Sequence, residues 1–137
     1  MNLKIVVIDG QGGRMGKMLV EKIKPIALDH EIMAIGTNSI ATSAMLKAGA
    51  DYGATGENPI VWNCKDADII LGPIGIIIAN ALHGEISPKM AQAVGECKAH
   101  KILVPVNKCN LKVMGVSDMS LSDYIDLAVD EVKTLLK

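Results

Sequence analysis

The stretch "VVIDGQGGRMGKMLVEK", Val6 to Lys22, decides the fold. Its opening residues, with Ile5 before them, are β-branched aliphatics without alternation, as in a strand buried on both faces. Four glycines follow within seven residues, at Gly10, Gly12, Gly13 and Gly16. Met15, Met18, Leu19, Val20 and Ile23 then recur at helical spacing, and Pro25 ends the segment. A strand, a glycine-rich turn and a helix in that order form the layout that cradles a phosphate. Glycines let the backbone approach the anion, and the first helical turn offers unpaired N–H groups at the positive end of its dipole.

Two registers of the glycines compete. Gly10-x-x-Gly13-x-x-Gly16 fits throughout, whereas in the Gly10-x-Gly12 register Met15 stands where the dinucleotide fingerprint has its third glycine. No Gly-Lys-Ser/Thr closes the loop, so it is not a P-loop. A sharp strand-to-helix turn alone needs fewer than four glycines.

Further along, strands are expected at residues 3–8, 31–35, 68–71 and 101–106, with a short last one at 111–116. Helices are expected at 13–24, 39–48, 87–97 and 121–136. Ser87 caps the third of these, with Pro88 at its first position. Residues 49–58 are glycine-rich and aperiodic, and read as a loop before a short strand at 60–62. The unbroken apolar character of residues 76–83 suggests a helix there. Alternating strands and helices over 137 residues predict one three-layer Rossmann-like α/β domain. Its sheet is mostly parallel, with about five strands and helices on both faces.

Composition narrows the function classes. Half the chain is apolar, but only Tyr52, Trp62 and Tyr124 are aromatic, so Ile, Val, Leu, Ala and Met build the core. A formal net charge of −1 and so few aromatics offer nucleic acid neither a basic stripe nor a stacking surface. Cys64, Cys97 and Cys109 are odd in number and widely spaced, which fits reduced thiols in the cytoplasm better than a disulfide scaffold or a zinc site. The chain enters its first strand directly, so no signal peptide is expected, and its longest apolar run, residues 74–82, is too short to cross a membrane. If that run is exposed, a homodimer is the simplest way to cover it.

The segment "GQGGRMGK" resembles the N-terminal cofactor loop of dihydrodipicolinate reductases. That resemblance implies NAD(P)H pyrophosphate lined by Gly10, Gly13, Arg14, Met15 and Gly16. It covers about the first twenty residues. The paired histidines and the lysine before a Ser-Gly-Thr turn that serve catalysis in those enzymes have no counterpart among the isolated His30, His83 and His100, so that activity is not expected. As a whole, through "IDGQGG", "GTNSIATSAMLKAGA", "GATGEN", "GPIGIIIAN" and "GEISPKMA", the chain is similar to a family of short bacterial proteins classed as a domain of unknown function. That likeness implies a Rossmann-like fold and no activity.

Ligands of doubly wound sheets bind at the carboxyl ends of the strands. The loops expected there supply Gly10, Gln11, Gly12, Gly13, Arg14, Met15 and Gly16; Thr37, Asn38 and Ser39; Gly72, Pro73, Ile74 and Gly75; and Asn107 and Lys108. The acid that takes ribose hydroxyls after the second strand of an NAD site is missing, replaced by Gly36-Thr37-Asn38-Ser39. Those small polar residues suit a 2′-phosphate or simply cap the next helix, so NAD(P), a mononucleotide and a flavin all stay open. The function expected is binding of a phosphate-bearing small molecule, a nucleotide or dinucleotide above all. Two alternatives are a small oxidoreductase or transferase using Lys108, Cys109 or His83, and a homodimeric partner-binding protein with a vestigial loop. His83-Gly84-Glu85 is the one close His/Glu pair, and composition favours a surface turn for it. No histidine or carboxylate cluster has metal-ligand spacing.

Overall fold

Val6 and Val7 lie in the middle strand of a five-stranded sheet, and no side chain from Ile5 to Ile8 is accessible to solvent. The computed structural model describes residues 2–106 and 111–137. In chain order the elements are β1 (Lys4–Asp9), α1 (Arg14–Ile23), β2 (Glu31–Gly36), α2 (Ser39–Lys47), β3 (Tyr52–Thr55), α3 (Glu57–Cys64), β4 (Ile69–Pro73), α4 (Pro88–Glu96), β5 (His100–Val104) and α5 (Leu121–Leu135). Every pairing is parallel, in the order β3-β2-β1-β4-β5. This is the Rossmann order, less its sixth strand.

The two faces of β1 seed two cores. Ile5 and Val7 pack with Leu19, Val20 and Ile23 of α1, Met45 of α2, and Ile125, Val129 and Val132 of α5. Val6 and Ile8 pack with Ile60 and Cys64 of α3, and Met90, Ala91 and Val94 of α4. Helices therefore cover both sides, and the aliphatic run of β1 is what that burial requires.

Four expectations need correction. Residues 52–55 form the edge strand β3 rather than a loop. Tyr-Gly-Ala-Thr carries no apolar run because this strand pairs only with β2 and is largely exposed. Gly53 lies under Leu46, whose side chain would stand 2.8 Å from a Cβ there. The expected strand at 60–62 lies instead inside α3, which turns Ile60 and Cys64 inward one helical turn apart. Residues 76–83 are not a helix. A single 3-10 turn, Ile74–Ile77, gives way to a chain of turns with positive φ at Asn80, Leu82, His83 and Gly84. Residues 111–116 hold no strand.

Candidate functional site

Strands β2 and β3 lie on one side of β1, and β4 and β5 on the other. The chain order thus reverses between β1 and β4, and a crevice opens at their carboxyl ends. It has a volume of about 950 Å³. Residues 9–15 form one wall, with residues 73–75 and 78–83 next to them. Pro105, Val106, Leu111, residues 116–119, Leu121 and Tyr124 complete the lining. The walls are mainly aliphatic, with Tyr124 as the aromatic residue among those described.

The four glycines divide their work. Gly13 has φ +74°, and a Cβ there would stand 2.7 Å from the Ala41 Cα, so the turn and its contact with α2 both require glycine. At Gly16 a Cβ would meet Met45 Sδ at 2.5 Å and Asp9 Cβ at 2.9 Å, which explains the close seating of α1 on the sheet. Gly10 is crowded by Thr37, Leu82 and Glu85. Of the four, only Gly12 faces open space: apart from its chain neighbours, no atom of the described residues lies within 4 Å of where its Cβ would be. The 10-13-16 register therefore marks the packing glycines, and Gly12 is the one that leaves room in the crevice.

Two carboxylates hold the loop from behind. Asp9 is buried; its Oδ1 accepts from the Gly10 amide at 2.8 Å and its Oδ2 from the Gly16 amide at 2.7 Å. Burial pushes the Asp9 carboxyl above its ordinary range, against the pull of those amides, and the nearby Glu85 adds to the rise. The side chain thus caps the N-terminus of α1 from inside. Glu85 Oε1 accepts from the Gln11 amide and from Asn38 Nδ2, each at 2.9 Å, and from the Thr37 hydroxyl. Partial burial disfavours its charge, but the bonds from Thr37, Gln11 and Asn38, with His83 nearby, outweigh it and hold Glu85 below its ordinary value. The amides of Gly12 and Arg14 meet no partner among the described residues. Arg14 is exposed on the same wall.

The expected site residues are only partly brought together. Gly10, Gln11, Gly12, Gly13, Arg14, Met15, Pro73, Ile74 and Gly75 line the crevice. Gly16 lies beneath it, and Gly72 is inside β4, where a Cβ would stand 2.4 Å from the Ile8 carbonyl oxygen. Thr37 and Asn38 are turned to Glu85, and Asn38 Oδ1 also caps α2 through the Ala41 amide. Ser39 borders a separate shallow depression between α1 and α2. Asn107, Lys108, Cys109 and Asn110 lie outside the described residues. The crevice adds what the sequence did not disclose, residues 78–82 and the Val116–Tyr124 wall. Glu85 was visible only as part of a His/Glu pair; nothing local says that it reaches back to Gln11. Among the described residues no group of three metal-ligating side chains exists, and no helix is long and apolar enough to cross a membrane.

Residues 4–137 match the family described as a domain of unknown function (DUF3842), and the chain belongs to that family. Comparison with curated proteins finds no match. Among solved structures, the chain is similar to a dodecameric FMN-dependent UbiX-like decarboxylase from Escherichia coli O157:H7. Identity is 17% and the TM-score 0.45, over 96% of this chain and 75% of that one.

Proposed function

We propose that this family member binds a phosphate-bearing small molecule, a nucleotide in class, in the crevice between β1 and β4. The observation that carries this is the open Gly12 position: a glycine loop at the switch point whose Gly12 and Arg14 amides lack partners among the described residues, beside the Arg14 guanidinium. Two amides and one guanidinium suit a phosphate group. The aliphatic walls and Tyr124 suit a flat ring, and Ser117 and Asp118 supply polar partners for a sugar.

Calorimetry of the purified chain against AMP, ADP, FMN, NAD and NADP tests this. Saturable binding of at least one is expected, and it should weaken when Gly12 is replaced by Glu. The proposal fails if none binds at millimolar concentration. A second reading, a small oxidoreductase or transferase, has His83 in its favour, since this side chain lines the crevice. It predicts a turnover that His83→Ala abolishes while binding persists. A homodimer belongs to the same proposal, supported by the unpaired edge of β3 and its exposed Tyr52, and light scattering on the eluting protein tests it.

A further inference from the structure

In a doubly wound sheet the two halves of a dinucleotide lie on either side of the switch point. One half rests over the β1–β2 edge, where the loop after β2 meets the sugar. In this chain that place is already filled. Glu85, from the far end of the turns after β4, lies across the first glycine and takes donors from both loops. These are the Gln11 amide from the β1 loop, and the Thr37 hydroxyl and Asn38 amide nitrogen from the β2 loop. Leu82 comes down beside it: a Cβ at Gly10 would stand 2.9 Å from both Leu82 Cδ1 and Glu85 Oε1. Asn38 Nδ2 also donates to the Gln11 carbonyl at 2.9 Å, which stitches the two loops together underneath.

From these contacts we infer that Glu85 is a specificity-determining residue. By filling the β1–β2 half of the site, it restricts the crevice to one nucleotide unit and excludes a dinucleotide. This rests on the nucleotide reading above and deepens it.

The segment that delivers Glu85 is built as a fixed plug rather than a loose flap. Ile76 before it and Ile86 after it are fully buried in the core beneath. Its backbone closes on itself, with the Asn80 amide donating to Ile86 and the Ile86 amide to Ala81. Leu82 and His83 are held at φ +56° and +57°, a conformation that non-glycine residues keep only where their surroundings impose it. The charges agree with a single phosphate. Asp9 and Glu85 already occupy the inner amides of the loop, leaving Gly12, Arg14 and the Arg14 side chain for an incoming anion. The opening that remains is on the β4–β5 side.

The test is calorimetry of the full chain with AMP, FMN, NAD and FAD, on wild type, Glu85→Ala and Glu85→Gln. Wild type should bind its better mononucleotide at least ~10-fold tighter than either dinucleotide. Glu85→Ala opens the second half, so this ratio should fall at least ~5-fold through tighter dinucleotide binding, with mononucleotide affinity held within ~3-fold. Glu85→Gln keeps the size of the side chain and a carbonyl oxygen that accepts from the same loops, and should keep the wild-type ratio. Equal binding of mononucleotide and dinucleotide by wild type, or a Glu85→Ala ratio equal to wild type, overturns the inference and leaves nucleotide binding standing. Absence of binding by any of the four ligands overturns both. If Glu85→Ala fails to fold by circular dichroism, hydrogen exchange on wild type decides. The Gln11 amide should stay protected at saturating mononucleotide; its deprotection would mean that the ligand displaces Glu85, and the inference fails.

Discussion

Gly12 and Gly13 are neighbours in sequence with opposite physical roles, and a pair of substitutions separates them. Gly13→Ala forces a Cβ at φ +74° and against the Ala41 backbone. The left-handed conformation and the overpacking together should cost about 2–4 kcal/mol, read as a lower urea midpoint. Gly12→Glu meets open space, so stability should stay within about 0.5 kcal/mol of wild type. Its carboxylate would lie where the phosphate is proposed to bind, so affinity should fall at least ~10-fold. The two carboxylates behind the loop respond to acid with opposite signs. Glu85 is held below its ordinary 4.5, so its stabilisation is complete above 4.5 and is lost as pH falls through the lowered value. Asp9 is held above its ordinary 3.8, so stability is lost as pH rises from 3.8 through the raised value, and acid restores it. Glu85→Gln removes the first contribution and only weakens the second, since burial, the larger cause of the Asp9 rise, stays while the smaller push from Glu85 goes. Urea midpoints from about pH 7 to about pH 3 should therefore fall less steeply in the variant than in wild type. At this scale the sequence showed that the glycines matter. It did not show which one faces the crevice, because that depends on whether Ala41, Met45 or empty space lies opposite.

Asn38 is the N-cap of helix α2, and its side chain carries two duties. Oδ1 accepts from the Ala41 amide at 2.9 Å, while Nδ2 donates to Glu85 and to the Gln11 carbonyl. Asp caps helices as well as Asn does, so a helix-only account predicts that Asn38→Asp is neutral. The structure predicts a loss of about 1–3 kcal/mol near neutral pH, because the new oxygen faces two acceptors, one of them charged. Thermal melts at neutral and acid pH check this; the deficit should shrink once the carboxylates are protonated. Elements with strong periodicity were legible in the sequence, among them β1, α1, α4 and α5. Those whose form is imposed by neighbours were not. Strand β3 exists because β2 offers it a ladder and Leu46 covers Gly53; its own residues show no strand pattern. Residues 76–83 read as apolar and helical, yet most of their apolar groups are spent on the crevice wall and the core below.

At the scale of the whole molecule, the two cores on either side of the sheet settle which groups can react. Cys64 is buried between α3 and the sheet. That burial, with Cys97 beside it, pushes its thiol up to about 12 despite Lys101 and Lys4 nearby. Cys64 should therefore resist alkylation in the native protein and react at an ordinary thiol rate once urea unfolds it; peptide mass mapping after timed iodoacetamide exposure checks this. Native labelling of Cys64 at the unfolded rate would mean that the α3–α4 side opens readily. Alternating apolar segments and the glycine spacing were enough to determine a parallel α/β sheet with a glycine-rich turn between β1 and α1, because local periodicity and turn chemistry report which backbone each segment favours. The missing acid after β2 was equally legible, and taken alone it left the choice between one nucleotide and two open. Only the tertiary structure brought Glu85 across more than seventy residues of chain to the Gln11 amide. A carboxylate's partners are set by distance in space, and no periodicity in the chain encodes that distance.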